Sequence, residues 1–558
     1  MKTIKLFFLF FLILHLAKLN AEWLAMYPTT NSGYNKATIV TTDNAGNIYV
    51  TGQKQTSVGY PIYYTITTLK YSTGGVKLWE VSYNLPYGYA IPCAIKYFDV
   101  PNSETDLLYV TGGIIDLEDP NNDFRWNIIT LSYTTDGDEN WANKWSDHYQ
   151  RNDNGYDIDC DISGNVYIAG ESNGWYEDPY GIPHDFNFTV LKYSINGGNP
   201  EWIHQYSNGN DNAYGIKVRG NFVYATGKGH NGSNYDFRTM AFSLNGTYLW
   251  QSLFNNDGED IAYDIATNFS GIYVTGSSYS GSTQKTATIK YNFDGIRQWM
   301  NNEFNGVNYT VQTFDRRVSI GNGPEQYTTD VFTTGYGINS SVKCGQTIRY
   351  TTTGGISWRR IFESNNPVSF CALEIDNNEN IFVTGNELNG SSEPISGYTI
   401  KYEYTVGFAL WTENLKGSYT QVDLRDIAID INGDPIVIGK VTPSTPNNTF
   451  YITMKYNSTD GGGDYFVKDK DEIYSLSQNY PNPFNPSTQI KFSIPKSSFV
   501  TLKIYDILGR EIKELLNEFK EAGNYNVTFD GSNLSSGMYF YKLIADDYTD
   551  IKRMTLIK

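Results

Sequence analysis

Three stretches of the chain set a carboxylate three residues ahead of a tyrosine: Asp153-Asn154-Gly155-Tyr156, Asp211-Asn212-Ala213-Tyr214 and Asp260-Ile261-Ala262-Tyr263. Amide and carboxylate oxygens crowd the same places, at Asn152, Asn208, Asn210, Asn256 and Asp257. Such donors suit a hard cation, so Asp153, Asp211 and Asp260 are candidate Ca²⁺ ligands if the stretches converge. Tyr156, Tyr214 and Tyr263 are candidate stacking faces for a sugar. No stretch has the spacing of an EF-hand or another dedicated calcium loop, and solvated turn residues are the competing reading.

Asp43, Asp161, Asp376 and Asp430 open turns of the D-x-x-G-N kind. An Asp there bonds the backbone N–H groups that follow it, so these four are expected to build turns. Catalytic side chains are scarce. After residue 21 the histidines are His148, His184, His204 and His230, and no GxSxG, HExxH or phosphate-binding loop occurs. Paired Asp/Glu leave no sequence signature, so a carboxylate-only glycosidase or lyase stays open. Cys93, Cys160, Cys344 and Cys371 show no metal spacing. They are expected as small buried hydrophobes, with a Cys93–Cys160 bridge as the alternative.

These groups sit in an internal repeat. The string aromatic-Val-Thr-Gly, or a close variant, ends at Gly52, Gly112, Gly170, Gly227, Gly276, Gly335 and Gly385, with a weaker copy at Gly439. The interval averages about 55 residues, within reach of a four-stranded propeller blade with long loops. Each unit reads as a run into a turn, the aromatic-Val-Thr-Gly strand, an alternating run such as 65–71, and a run carrying Trp after a Gly-rich turn. The Trp residues are Trp79, Trp141, Trp202, Trp250, Trp299, Trp358 and Trp411. Eight copies of the first three parts stand against seven of the fourth. The missing one lies at the start, where residues 22–27 read Glu-Trp-Leu-Ala-Met-Tyr. This predicts eight blades, with seven as the alternative, and an N-terminal strand that completes the last blade and removes its open edge. The Trp residues are expected to pack blade on blade. First strands would line a central channel, and the loops ahead of Asp153, Asp211 and Asp260 would meet at its mouth.

Composition agrees with an all-β chain. There are 46 Tyr and 51 Gly but only 5 His in 558 residues, and the net charge is −18. Aromatic and β-branched residues between Gly and Asn/Asp turns favour strands. The acidic balance argues against nucleic-acid binding, which needs Lys and Arg to neutralise phosphates. Residues 1–21 join Lys2 and Lys5 to an apolar run over 6–14 and a small residue before Glu22, the pattern of a secretory signal peptide. No later stretch offers roughly 18 apolar residues in succession, so no transmembrane helix is expected. The expected organisation is a propeller over 22–456, a Gly/Asp/Lys linker over 457–473, and a small Ig-like β-sandwich over 474–558. Strands of the sandwich are expected at 489–494, 500–506, 525–529 and 538–545.

The last segment is similar to the type A C-terminal sorting domain of the type IX secretion system, found in the Bacteroidetes and their relatives. The matching residues are Asn479-Tyr480-Pro481-Asn482-Pro483-Phe484-Asn485-Pro486 and Tyr505-Asp506-Ile507-Leu508-Gly509-Arg510. Ser536-Gly537-Met538-Tyr539 and the run from Lys552 to Lys558 complete the set. The resemblance implies a Gram-negative source, export to the periplasm, and passage through the outer membrane once the translocon reads residues 474–558. The domain would then be removed. The passenger would be secreted, or attached to lipopolysaccharide on the outer surface of the outer membrane.

The repeat resembles the bacterial β-propeller repeat known as SBBP, best from Asp43 to Gly52 and from Asp161 to Tyr167. Asp376 to Gly385 fits with Glu379 in place of the turn Gly, and the unit near Phe314 departs most. That family implies a fold and no agreed activity. The Gly-to-Trp turn, as in 294–299, is loosely similar to the Asp-box of sialidases and to the docking turns of quinoprotein dehydrogenases. The arginine triad of the first is not placed here, and the vicinal Cys pair of the second is absent. The leading expectation is a non-catalytic surface or extracellular binding protein that holds a glycan or a surface protein at one propeller face. The alternatives are a polysaccharide-active lyase or glycosidase using channel-mouth carboxylates, and a structural surface-layer component. Fold alone does not separate them.

Overall fold

In the computed structural model the chain is described over residues 21–458 and 475–558, apart from 29–32, 58–60, 104, 119–124, 148–151, 174–185, 207–208, 319–325, 417–418, 444–447, 477, 480, 495–496, 508, 521–522 and 546–547. The expected signal peptide (but for Ala21), most of the expected linker, His148 and His184 lie outside the described residues.

All regular structure among the described residues is strand. Ahead of residue 458 it forms eight four-stranded antiparallel sheets, a propeller-like arrangement in which no sheet closes on itself. Strand order within a sheet follows the chain, as in Asn154–Cys160, Val166–Asn173, Phe186–Ser194 and Gly197–Tyr206. One sheet departs from this rule. Ala21–Tyr27 pairs with Phe450–Tyr456, Leu24 opposite Met454, at the edge of the sheet built from Tyr419–Ile429, Pro435–Pro443 and Phe450–Tyr456. The two ends of the repeat region thus share one sheet, and the edge that Phe450–Tyr456 would expose is covered.

Indole rings join neighbouring sheets. Trp79, Trp141, Trp202, Trp250, Trp299 and Trp358 each donate their N–H to a carbonyl in the third-to-fourth strand turn of the following sheet, at 2.8–3.1 Å. The Gly of that turn makes room for the ring. A Cβ on Gly197 would lie 2.6 Å from Trp141, and one on Gly246 2.7 Å from Trp202. Trp23 treats the first sheet the same way, bonding the Thr73 carbonyl at 2.9 Å against Gly75. Each indole brings a large apolar area to its junction.

The D-x-x-G turns are held as the sequence predicts. Asp43 Oδ1 accepts the N–H groups of Ala45 at 2.9 Å and Asn47 at 2.7 Å, and Oδ2 takes the Tyr49 hydroxyl at 2.9 Å. Asp161 repeats this with Ser163, Asn165 and Tyr167. Asp376 and Asp430 also bond the N–H groups two and four residues on. All four cysteines are free, so the alternative Cys93–Cys160 bridge is not formed; Cys344 is buried and the other three partly so.

After residue 474 two sheets share one apolar core. One holds Ser475–Leu476, Ser487–Ile494 and Gly523–Asp530; the other holds Glu511–Lys520, Ser498–Asp506, Gly537–Ala545 and Tyr548–Leu556. Glu511–Lys520 and Tyr548–Leu556 are edge strands that the sequence reading missed. The first reads EIKELLNEFK, good helix formers with mostly exposed side chains, so no alternation marks it.

The motif residues of this segment are pinned in place. Phe484 is buried between exposed Pro481, Pro483, Asn485 and Pro486. Its N–H donates to Thr555 O at 2.9 Å and its carbonyl accepts from Ile557 N–H at 3.0 Å, while Asn482 accepts the Thr555 N–H at 2.9 Å. Asp506 accepts the Arg510 N–H at 2.9 Å and its Nε at 2.7 Å around Gly509, whose φ is 76°. Gly537 opens its strand, and Tyr539 bonds Ser535 O at 2.8 Å. Among the described residues no helix is long and apolar enough to cross a membrane.

Candidate functional site

The glycine that ends each aromatic-Val-Thr-Gly strand has a first strand pressed against it. A Cβ on Gly52, Gly170, Gly227 or Gly276 would lie 2.2, 2.3, 1.9 or 1.9 Å from the carbonyl oxygen of Lys36, Asn154, Asn212 or Ile261. At that point the first strand holds one extra residue: the register slips between Ala37 and Ile39, Gly155 and Asp157, Ala213 and Gly215, and Ala262 and Asp264. Such a bulge re-aims a side chain. The bulge residues are Thr38, Cys93, Tyr156, Tyr214, Tyr263, Tyr309, Cys371 and Arg425.

Four of them are tyrosines in consecutive sheets, and they form an arc. Ring centroids are 5.3 Å apart for Tyr156 and Tyr214, 6.3 Å for Tyr214 and Tyr263, and 5.6 Å for Tyr263 and Tyr309. Tyr336 continues the arc at 6.2 Å from Tyr309. The three tyrosines singled out from sequence therefore do come together. Tyr309 was missed because Gly306, not Asp, stands three residues ahead of it.

Asp153, Asp211 and Asp260 have a different task. All three are fully buried. Each carboxylate ties the head of its first strand to the end of the second. Asp153 accepts the N–H of Asn173 at 3.2 Å and of Asp147 at 3.1 Å. Asp211 accepts that of His230, and Asp260 those of Asn256 and Tyr279. Burial, with the nearby Asp147, pushes Asp153 up to about 8; burial raises Asp260 too. Among the described residues no three His, Cys, Asp or Glu side chains gather where they could hold a metal ion. The Ca²⁺ expectation therefore finds no cluster at these positions.

Further along the first strands lies a cavity of about 520 Å³, lined by first-strand residues from six sheets. One residue past the bulge stand Asp157, Asp264 and Asp426. Each accepts an N–H from the first strand of another sheet: Ile216 at 2.9 Å, Val311 at 2.8 Å and Val40 at 2.9 Å. Two residues past the bulge every side chain is aliphatic and buried, from Val40 and Ile95 round to Leu373 and Ile427. Three residues past it the side chains are Thr41, Lys96, Asp159, Lys217, Gln312 and Glu374, with alanine at 266 and 428. Neighbours in this girdle bond one another. Lys96 pairs with Asp159 at 2.7 Å, and Gln312 Nε2 donates to Glu374 at 3.2 Å. Lys217 Nζ lies 3.6 Å from Asp157.

Burial pushes Glu374 up to about 8, with Asp426 adding to the shift; it pushes Asp426 up to about 7 and Asp264 to about 6. Burial also disfavours the Lys217 ammonium, but Asp157, Asp159 and Asp264 outweigh it and hold the group above its usual range. Carboxylates perturbed together in one cavity are a frequent mark of function. The sequence signal that finds them is their distance from the bulge opposite each repeat glycine, and no motif string records it.

Residues 478–558 match the family described as secretion system C-terminal sorting domain, and residues 148–177, which include Asp153 and Tyr156, match the β-propeller repeat family. No curated protein matches the chain. Among solved structures the chain is similar to Sqt1 from Chaetomium thermophilum, at 7% identity over 79% of this chain and 99% of that one, with a TM-score of 0.46. It is also similar to a putative exo-β-1,3-galactanase from Bifidobacterium bifidum, at 14% identity over 47% and 90% of the two chains, with a TM-score of 0.27. PorZ, a surface component of the type IX secretion system of Porphyromonas gingivalis, aligns at 11% identity over 95% of this chain and 83% of its own, with a TM-score of 0.20. Likenesses this distant carry no argument about activity. The family matches do carry one about place and fold: the chain combines a β-propeller repeat with a type IX secretion sorting tail and is a secreted or cell-surface protein.

Proposed function

We propose that the eight sheets are the blades of one closed propeller completed by Ala21–Tyr27, and that the tyrosine arc on its first strands binds a glycan outside the cell. Three contacts between the last sheet and the first support closure. Trp23 lies on Gly75, Asp426 accepts the Val40 N–H, and Tyr419–Ile429 packs on Asn35–Thr42. The sorting tail supports export in which the translocon reads residues 474–558, after loss of residues 1–21, with the propeller released or held on the outer membrane.

The arc of four tyrosines carries the binding reading. A sugar ring offers an apolar C–H face to an aromatic ring and hydroxyls to polar neighbours, and both are at hand. Glu171 hydrogen-bonds Tyr156, and Lys228 sits 4.3 Å from the Tyr235 ring centroid. The test is an oligosaccharide array probed with the secreted chain, wild type beside Tyr214→Ala and Tyr156→Ala. Specific retention that falls about tenfold or more in the variants supports the reading. Retention that ignores both changes sinks it, as does a wild-type chain that captures only surface proteins.

A second reading is carboxylate catalysis. Glu374 and Asp426 line one cavity, and burial raises their carboxyls to about 8 and about 7, the direction a general acid for glycosidic cleavage needs. Release of reducing ends by the secreted chain, lost on Glu374→Gln, would favour it.

A further inference from the structure

We infer that the cavity takes one hydroxyl-rich saccharide unit between Glu374 and Lys96, in the gap left by Ala428. This rests on the glycan reading of the tyrosine arc and names where the hydroxyls of the sugar are received.

The first argument is the contrast between neighbouring positions of one repeat. Packing decides the residue two past the bulge, which is aliphatic in every copy. The next position along the strand, three past the bulge, varies from copy to copy among Thr, Lys, Asp, Gln, Glu and Ala. A repeat that holds its core constant while varying one inward position has freed that position from folding. Variation that faces a shared cavity is what an asymmetric ligand requires.

The second argument is space. Three positions past the bulge, alanine at 428 stands where Glu374 and Lys96 stand in other sheets, and Thr41 beside it is also small. The cavity of about 520 Å³ has Ala428 and Thr41 on its wall. Its volume falls in the range of roughly 300–1,000 Å³ usual for small-molecule sites.

The third argument is chemistry. The wall offers donors (Lys96, Lys217, Thr41) and acceptors (Asp157, Glu374, Asp426) together. No trio of ligands serves a metal among the described residues. A polar wall disfavours an apolar guest, which would strip solvent from its charged and polar groups and offer no new partner. A polyhydroxyl unit donates to the carboxylates and accepts from the ammonium groups, so it satisfies both sets.

The test uses the same oligosaccharide array, then calorimetric titration with the best-retained oligosaccharide, on the full secreted chain. Glu374→Gln keeps the shape of the side chain, and Ala428→Leu fills the gap. Both are expected to weaken binding about tenfold or more, and Glu374→Gln should leave thermal unfolding cooperative. Should Ala428→Leu fail to fold, Thr41→Val replaces it and should weaken binding at least threefold. Binding that depends on Tyr214 but is unmoved by Glu374→Gln and by the second variant overturns this inference and leaves the tyrosine arc standing. A wild-type chain that retains no oligosaccharide overturns both.

Discussion

The indole N–H of Trp23 donates to the Thr73 carbonyl at 2.9 Å, joining the sheet that ends the repeat region to the sheet that begins it. Six other tryptophans make the same bond between sheets adjacent in sequence. Trp23 makes it from the sheet that also holds Tyr419–Ile429, so the last sheet of the repeat region meets the first. Full burial of a Trp is worth about 3–5 kcal/mol on truncation to Ala. Trp23 is only partly buried, so Trp23→Ala is expected to cost about 2–3 kcal/mol. Urea denaturation of the secreted chain measures this. A variant that unfolds at the wild-type midpoint would show that this bond does not hold the last sheet to the first.

The bulges make a sharper claim. Gly170 faces Asn154, whose carbonyl oxygen would lie 2.3 Å from an added Cβ. Gly170→Ala must therefore push the first strand away and displace Tyr156. Overpacking of this kind costs about 1–3 kcal/mol. Gly74 is the control, since a Cβ there meets nothing within 4 Å. Gly74→Ala should stay within about 0.5 kcal/mol of wild type. Equal effects from the two changes would mean that the repeat glycine is not tied to the bulge.

Much of this could be read from the chain. Trp79 to Trp411 recur after a Gly-bearing turn, and one missing Trp pointed to Glu22–Tyr27 as the partner of the last sheet. The tail turn at Asp506 and the repeat turns at Asp43 and Asp161 follow from the habit of Asp to cap the N–H groups after it. The cavity was not legible. A bulge leaves no residue type of its own, since Thr38, Cys93, Tyr214 and Arg425 all occupy it, and only the glycine on the facing strand records it. Asp153, Asp211 and Asp260 misled for a related reason. An acid beside Asn and Gly looks like a loop ligand, yet all three are fully buried on backbone N–H groups. Their partners are near in sequence, at Asn173, His230 and Tyr279, but they meet only once the first strand pairs with the second, and residue type alone does not record that.

Glu374 gives the protein a pH dependence with a definite sign. Its carboxyl keeps a proton up to about 8 in the folded chain, against 4.5 in the reference state. Between those values the folded state binds more protons than the unfolded one, so stability falls as pH rises. Asp426, raised from 3.8 to about 7, and Asp264, raised from 3.8 to about 6, act in the same direction. Asp426 and Asp264 oppose ionisation of Glu374, while Lys217 and Gln312 favour it. Solvent in the cavity screens the effect, so the loss from about pH 5 to about pH 8 should be on the order of 1–3 kcal/mol. Glu374→Gln should lose less over that window and be the more stable chain at about pH 8. Denaturation curves across the window decide it, and parallel pH profiles for the two chains would remove Glu374 as the cause.

The tail offers a test that separates folding from recognition. Phe484 is buried at 2% exposure, and its backbone is bonded to Thr555 and Ile557 in the last residues of the chain. Phe484→Ala removes an aromatic ring from this small core, at a cost of about 3–5 kcal/mol. Arg510 is the contrast, with a side chain 74% exposed around its bond to Asp506. An exposed pair of this kind is worth about 0–1 kcal/mol, so Arg510→Ala should leave the tail folded. In a host with the secretion system, a Phe484→Ala chain should accumulate in the periplasm as protease-sensitive protein. An Arg510→Ala chain held back while still protease-resistant would place recognition on that exposed turn. Normal release of both chains would mean that neither the fold of the tail nor this turn is what the translocon reads.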